Sequence, residues 1–260
     1  MKKKTLSITL IQTELHWEDP EANREMFSRK IDEIQEDTDL IVLPEMFTTG
    51  FSMNATALAE PTQGPTVSWM AQHAKARNAA ITGSVIVIEN GEFFNRLFFV
   101  FPNGSYQAYD KKHTFTLAGE HKVYSAGTKR LVVDYLGWKL CPLVCYDLRF
   151  PVWARNTVDY DVLLYVANWP EKRVAAWDAL LKARAIENMC YCIGVNRIGR
   201  DGNEHPYVGH SAVYDVLGNL ISRQAWEEDF IETVVLEKSH INDLREQLRF
   251  LVDRDSFQLT

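Results

Sequence analysis

The sequence predicts an α/β fold in which buried, mostly parallel strands present their chemistry at their carboxyl ends. Three observations point there. Short apolar runs at Leu40 to Leu43 and Asp161 to Val166 have the composition of strands covered on both faces. Helical patterns at Pro65 to Arg77 and Val174 to Asn188 alternate with such runs. Polar residues stand where the runs stop, at Glu45, Cys145 and Asn168-Trp169. Ligand sites of parallel α/β sheets form at such ends, so residues far apart in sequence can meet there.

In chain order, Thr5 to Thr13 alternates enough to be the first strand. Asp19-Pro20 then reads as a cap and first helical residue. That helix is predicted to run to about Glu36, with Phe27, Ile31 and Ile34 on one face. After the Leu40 to Leu43 strand, the helix over Pro65 to Arg77 turns Val67, Met70, Ala71 and Ala74 inward, and Ala79 to Ile88 is another strand. Asn90-Gly91 and Asn103-Gly104 are hairpin signals bracketing the apolar run Leu97 to Phe101, which predicts an antiparallel section. Strands at Leu131 to Tyr135 and Lys139 to Val144 lead to Cys145, although Pro142 sits awkwardly in the second. The helix over Val174 to Asn188 carries Val174, Trp177, Leu181 and Ala185 on one stripe, and Cys190 to Val195 is a strand. His210 to Val216 and Leu220 to Ala225, joined at Gly218-Asn219, read as a second hairpin. Ile231 to Leu236 is the last strand, with a short helix and tail from Ile241. No long linker or repeat interrupts the pattern, so residues 1–260 read as one domain, its last ~20 residues a helix and tail.

Composition narrows the function. A hydrophobic fraction of 46% with 24% charged residues is ordinary for a globular protein with a substantial core. The formal charge of -7 argues against nucleic acid as a partner. The basic start MKKK precedes a stretch broken by Thr, Ser and Gln, better read as a strand than as a signal peptide, and no run is long enough to span a bilayer. The four cysteines, Cys141, Cys145, Cys190 and Cys192, show neither a disulfide framework nor zinc spacing, and a reducing cytoplasm is the expected setting.

One of those cysteines stands apart. The run Leu140 to Val144 ends at Cys145, polarity rises through Tyr146, Asp147 and Arg149, and Pro151 suits the first turn of a helix. This is a strand, a sharp turn and a helix with a thiol at an exposed corner, where backbone N–H groups receive an anion. A buried structural cysteine is the competing reading. Thiol attack on a carbonyl needs a base, an oxyanion donor and a proton for the leaving group. Glu45, framed by Leu43, Met46 and Phe47, is placed to exchange protons. Lys111 or Lys112, in the run Tyr109 to Phe115, would lower the thiol pKa and donate to an oxyanion. Each has a bland alternative as a solvated surface charge.

Together these pieces resemble the nitrilase superfamily of carbon–nitrogen hydrolases over nearly the whole chain. The glutamate motif is matched at Leu40 to Phe47, the lysine motif at Tyr109, Lys111, His113 and Phe115, and the cysteine motif at Cys145 to Pro151. Further matches lie at Ala183 to Asn188, Gly194 to Gly199 and Gly209 to Ile221. The resemblance selects Lys111 over Lys112. It implies a four-layer αββα sandwich, usually dimeric, and acyl transfer with no metal or organic cofactor. Glu45 would be the base, Cys145 the nucleophile, and Lys111 with the Tyr146 backbone N–H the oxyanion donors, with Glu120 in support. Asn168 to Arg173 and the later Asn196 to Tyr207 look most like the omega-amidase branch, which implies a small-molecule amide bearing a carboxylate. A carboxylate favours a bidentate cation, so Arg173 is the first candidate and Arg149 the second. Asn168 is a further substrate-binding candidate, and Trp169 and Phe47 would wall the pocket or else belong to the core. A papain-like Cys-His pair through His113 or His210 is disfavoured, both histidines being expected to be structural. A non-catalytic binding module would have no need of Glu45, Lys111 and Cys145 together. A nitrilase, an N-carbamoyl amidase or an amidase of a larger peptide remain alternatives within the fold.

Overall fold

The computed structural model describes residues 2–258, so the first residue and the end of the expected tail lie outside it. Its strands are β1 (Thr5–Gln12), β2 (Leu40–Val42), β3 (Glu60–Pro61), β4 (Ala80–Glu89), β5 (Glu92–Val100), β6 (Tyr106–Asp110), β7 (Val133–Tyr135), β8 (Trp138–Val144), β9 (Val162–Val166), β10 (Tyr191–Val195), β11 (Ile198–Arg200), β12 (Pro206–Val208), β13 (Ala212–Tyr214) and β14 (Phe230–Glu237). Its helices are α1 (Pro20–Asp32), α2 (Ala55–Leu58), α3 (Pro65–Arg77), α4 (Pro151–Ala154), α5 (Val174–Asn188) and α6 (Lys238–Leu248).

Two sheets stack face to face. The first runs β14-β1-β2-β4-β5-β6, with β3 beside β4, and the second runs β13-β10-β9-β8-β7. The centre of each is parallel (β1-β2-β4 and β8-β9-β10), and antiparallel strands close both edges. Period-two alternation assigns the faces. Leu6, Ile8, Leu10, Leu40, Val42, Leu97 and Phe99 point from the first sheet into a core shared with Leu140, Val162 and Leu164 of the second. Ile11, Ile41, Ile81, Phe98 and Val100 point the other way, against Phe27, Ile31, Val67, Met70 and Ala74 beneath α1 and α3. Trp177, Leu181 and Ala185 of α5 cover the far side of the second sheet. The result is the αββα sandwich.

Local chemistry explains most boundaries. Asp19 caps α1, its side chain accepting from Ala22 N at 3.0 Å, with Pro20 following. α1 stops at Asp32, four residues before the expected Glu36, yet Ile34 stays buried below it. α3 and α5 end on left-handed caps, Asn78 (φ 49°) and Met189 (φ 47°). Asn90 (φ 53°) and Gly91 (φ 83°) make the predicted two-residue hairpin turn between β4 and β5. Pro142 is accommodated because β7 pairs with β8 only as far as Leu140, leaving a neighbour on one side alone.

Two expectations fail. The second hairpin is reduced to its turn: β13 pairs with β10, and Leu220 to Ala225 returns through a single bridge, Tyr214 to Leu220. Leu220 and Ile221 face outward with no layer to pack on. The β11-β12 ribbon was unrecognised, because its two short strands carry little apolar signal.

Gly194 in β10 shows how tightly α5 is laid down. A Cβ there would stand 2.5 Å from Leu181 Cδ1 and 2.6 Å from Trp177 Cζ2. Gly194→Ala is therefore expected to destabilise the fold by about 1–3 kcal/mol. An unchanged urea midpoint would show that α5 is free to shift.

Candidate active site

Strand ends from both sheets meet in one place. Glu45 follows β2 and Lys111 follows β6 of the first sheet, while Cys145 follows β8 and Asn168 follows β9 of the second. β8 breaks directly into a 3₁₀ turn over Cys145–Arg149, and α4 starts at Pro151. Cys145 itself holds φ 44°, a left-handed conformation uncommon for a residue with a side chain. Contrary to the exposed corner expected, it is 9% exposed and lies at the floor of a cavity of about 530 Å³.

Behind Cys145 is a fully buried charge cluster. Lys111 Nζ donates to Glu45 Oε1 at 2.8 Å and to both Glu120 oxygens at 3.0 Å. Asn95 Nδ2 donates to Glu45 Oε1 at 2.8 Å and Glu120 Oε1 at 3.3 Å. The Asn168 backbone N–H donates to Glu45 Oε2 at 2.9 Å, and Phe115 N–H donates to Glu120 Oε2. Burial by itself would lower the Lys111 pKa, but the Glu120 and Glu45 carboxylates hold it above its ordinary value. Burial raises Glu120. The thiol departs from expectation: burial first, then the Glu45 carboxylate, push Cys145 well above its ordinary value, and Lys111 does not reverse this. A thiol pushed in that direction can attack only where a base removes its proton during the step.

Asp147 ties the lysine segment to the cysteine turn. It is fully buried and accepts from Tyr109 Oη at 2.7 Å, His113 N at 3.0 Å and Val144 N at 3.0 Å, and it pairs with His113 Nδ1 at 2.7 Å. Trp153 Nε1 donates to the same Tyr109 oxygen at 3.0 Å, and His113 stacks on Phe150 at 3.7 Å. His113 is thus structural. His210 is fully buried, its Nδ1 3.0 Å from Asp178 Oδ1.

Asn168, Trp169, Arg149 and Arg173 all line the cavity, with Tyr146 beside Cys145. Arg149 lies over the Trp169 ring at 5.0 Å and Arg173 over Phe115 at 5.0 Å. Neither arginine has a carboxylate within ion-pair distance among the described residues. Burial lowers the Arg173 pKa, Cys145 opposes that pull, and the like charge of Arg149 adds to it. Phe47 is a correction. Met46 takes φ 42°, which breaks the alternation after β2 and sends Phe47 to the helix side, 5.5 Å from Phe27 and 5.8 Å from Trp69. The aromatic walls are Phe51, Phe115, Trp17 and Tyr207 instead. Sequence reasoning also missed Asn95, which sits mid-strand with no motif around it, and Asn196. The latter accepts from Trp169 N at 2.8 Å and donates to Trp169 O at 2.9 Å, fixing that corner.

The carbon-nitrogen hydrolase family model matches residues 7–245 of this chain. The chain is a carbon-nitrogen hydrolase. This carbon-nitrogen hydrolase is 45% identical to the omega-amidase YafV of Escherichia coli, over 98% of each chain. It is 32% identical to the 2-oxoglutaramate amidase of Bacillus subtilis, over 88% of this chain and 90% of that one. A solved CN-hydrolase superfamily protein of Xanthomonas campestris, which holds an arsenic adduct in its active site, superposes with a TM-score of 0.96. It is 42% identical, and the match covers 99% of this chain and 100% of that one.

Proposed function

We propose that this carbon-nitrogen hydrolase is an omega-amidase. It cleaves the terminal amide of an oxo-dicarboxylate monoamide such as 2-oxoglutaramate or 2-oxosuccinamate, giving the dicarboxylate and ammonia. The observation that carries the reading is the pair of unpaired arginines, Arg149 and Arg173, lining the same cavity as Cys145. A cation that faces a cavity and has no ion-pair partner of its own favours an anionic ligand. The names of the relatives agree with that chemistry.

In the proposed reaction Glu45 takes the Cys145 proton as sulfur attacks the amide carbon. Lys111 and the Tyr146 backbone N–H receive the oxyanion. The C–N bond breaks, Glu45 returns the proton to the leaving nitrogen, and ammonia departs from a thioester. Glu45 then activates water, which releases the acid and restores the thiol. Glu120 supports Lys111 by balancing its charge and holding its loop through Phe115. The protein is further proposed to work as a single domain, as a homodimer, in the cytoplasm. Its four free cysteines suit a reducing compartment, and the exposed Val152, Ile186 and Leu217 suit a subunit contact; sedimentation at two concentrations checks the dimer.

The test of substrate is ammonia release from 2-oxoglutaramate beside neutral amides, a nitrile and N-carbamoyl amino acids. Arg173→Ala is expected to raise KM for the oxo-acid amide at least about tenfold, the loss of a charge-assisted hydrogen bond, with little change for a neutral aliphatic amide. Equal effects on both would make Arg173 a scaffold for Phe115 and remove the carboxylate from the reading.

A further inference from the structure

The two oxygens of Glu45, the proposed base, are used unequally. Glu45 is fully buried, and its Oε1 accepts from Lys111 Nζ at 2.8 Å and from Asn95 Nδ2 at 2.8 Å. An oxygen of an ionised carboxylate has two lone-pair sites, so Oε1 is full. Oε2 accepts from the backbone N–H of Asn168 at 2.9 Å. The carbonyl oxygen of that same residue lies 4.0 Å from Cys145 Sγ. The oxygen that keeps a free lone pair is thus the one tied to the cysteine side of the cluster.

Asn95 makes half of this arrangement. It is buried in the middle of β5, and its Nδ2 reaches two carboxylates, Glu45 Oε1 and, at 3.3 Å, Glu120 Oε1. Ionised carboxylates only accept, so the nitrogen end of the amide faces them. Its Oδ1 is buried with no hydrogen-bond partner among the described residues, so the donors and not the acceptor hold the side chain in place. A backbone bond from Lys111 N to Asn95 O, 3.0 Å long, fixes the lysine and the asparagine relative to each other.

We propose that Asn95 is a positioning residue which, with Lys111, saturates Glu45 Oε1 and so leaves Oε2 as the single atom that carries the proton. The proposal rests on Glu45 being the base and refines that reading to one oxygen. Oε2 takes the thiol proton as the S–C bond forms, and gives it to nitrogen as the C–N bond breaks. It then takes one proton of water as the new C–O bond forms, and returns it to sulfur as the C–S bond breaks. Without Asn95 the carboxylate is free to rotate, which brings Oε1 into competition and takes Oε2 out of line. Asn95 does not line the cavity, so its effect passes through Glu45.

The test is Asn95→Leu, which removes both donors at similar volume. A misplacement of about 1 Å at a reacting pair costs about a hundredfold in rate. The kcat for 2-oxoglutaramate is therefore expected to fall about tenfold to a hundredfold, with KM and the Kd of 2-oxoglutarate, the product, within about twofold of wild type. Alkylation of Cys145 by iodoacetamide also needs the thiol proton removed, and should slow by a similar factor. That readout decides the matter even if 2-oxoglutaramate is not cleaved, and Cys141, Cys190 and Cys192 are fully buried. Unchanged kcat and alkylation, or a loss confined to KM and Kd, would overturn the proposal. Asn95→Asp keeps the side-chain shape if the leucine variant fails to fold. Its neighbours in the cluster are Glu45, Glu120, Lys111 and Cys145, with Tyr124 near Glu120. Burial among carboxylates raises an aspartate there, and only its protonated form donates. The deficit relative to wild type should thus shrink from pH 8 to pH 5, and a deficit independent of pH would overturn the donor role. Glu45→Gln, run alongside, keeps the two readings apart. Normal turnover and alkylation in that variant would remove Glu45 as the base and the proposal with it. A severe loss there, beside normal rates in Asn95→Leu, would overturn the proposal alone.

Discussion

Cys145→Ala is expected to abolish ammonia release, with a loss of at least about 10⁴-fold, because removal of a nucleophile leaves only binding and oxyanion stabilisation. The fold should survive. Sγ makes one long contact, 4.0 Å to the Asn168 carbonyl, and the residue is at the edge of a cavity rather than inside a packed layer. The cost in stability should stay under about 1 kcal/mol, a shift of about 2–4 °C or less for a chain of this size. Mass spectrometry after rapid quenching should find an acyl adduct on wild type and none on the variant. Turnover within tenfold of wild type would remove Cys145 from the chemistry.

Lys111→Ala is expected to damage rate and stability together. Loss of one oxyanion donor costs about 10²–10³ in turnover. The stability effect has a separate source: Glu45 and Glu120, both fully buried, would face each other with only Asn95 between them. Leaving a buried charge unpaired costs about 3–5 kcal/mol. The pH dependence has a definite sign. Burial already holds Glu120 above its ordinary value, and removing the lysine raises it further. A carboxylate whose folded pKa is raised leaves the fold undisturbed below its unfolded pKa, and stability is lost as pH climbs toward the folded value. The melting-temperature deficit of Lys111→Ala should therefore be larger at pH 8 than at pH 5. Adding Glu120→Gln should recover part of that deficit and none of the turnover. A deficit independent of pH would mean that the cluster is not held by charge balance.

The sequence exposed the parts of the site that announce themselves by contrast. Glu45 and Cys145 are polar residues at the ends of apolar runs, and the segment around Lys111 follows a hairpin that its Asn-Gly signal located. The sheets were legible for the same reason, since a strand buried on both faces leaves an unbroken apolar run. What stayed hidden depends on pairing rather than on pattern. Asn95 reaches the cluster because β5 and β6 register so that its carbonyl oxygen accepts from Lys111 N at 3.0 Å, and nothing in its neighbours signals this. Asp147 lies within the cysteine motif, but its role appears only once the stacked sheets bring the ends of β6 and β8 together. Phe47 lies away from the cavity because the backbone turns left-handed at Met46, which no residue pattern signals. The thiol was expected to be acidified by its lysine, and burial beside Glu45 outweighs that pull.

Cys145 and Glu45 sit on different sheets, and the layer between those sheets is a greasy seam with no covalent tie. The proposed proton transfer between them is thus a calliper laid across the sandwich. A slip of about 1 Å at a reacting pair costs about a hundredfold in rate, far less than is needed to unfold either sheet. On gentle heating, turnover should fade before circular dichroism changes, and substitutions deep in the seam at Leu10, Phe99 or Leu164 should register first as a slower enzyme.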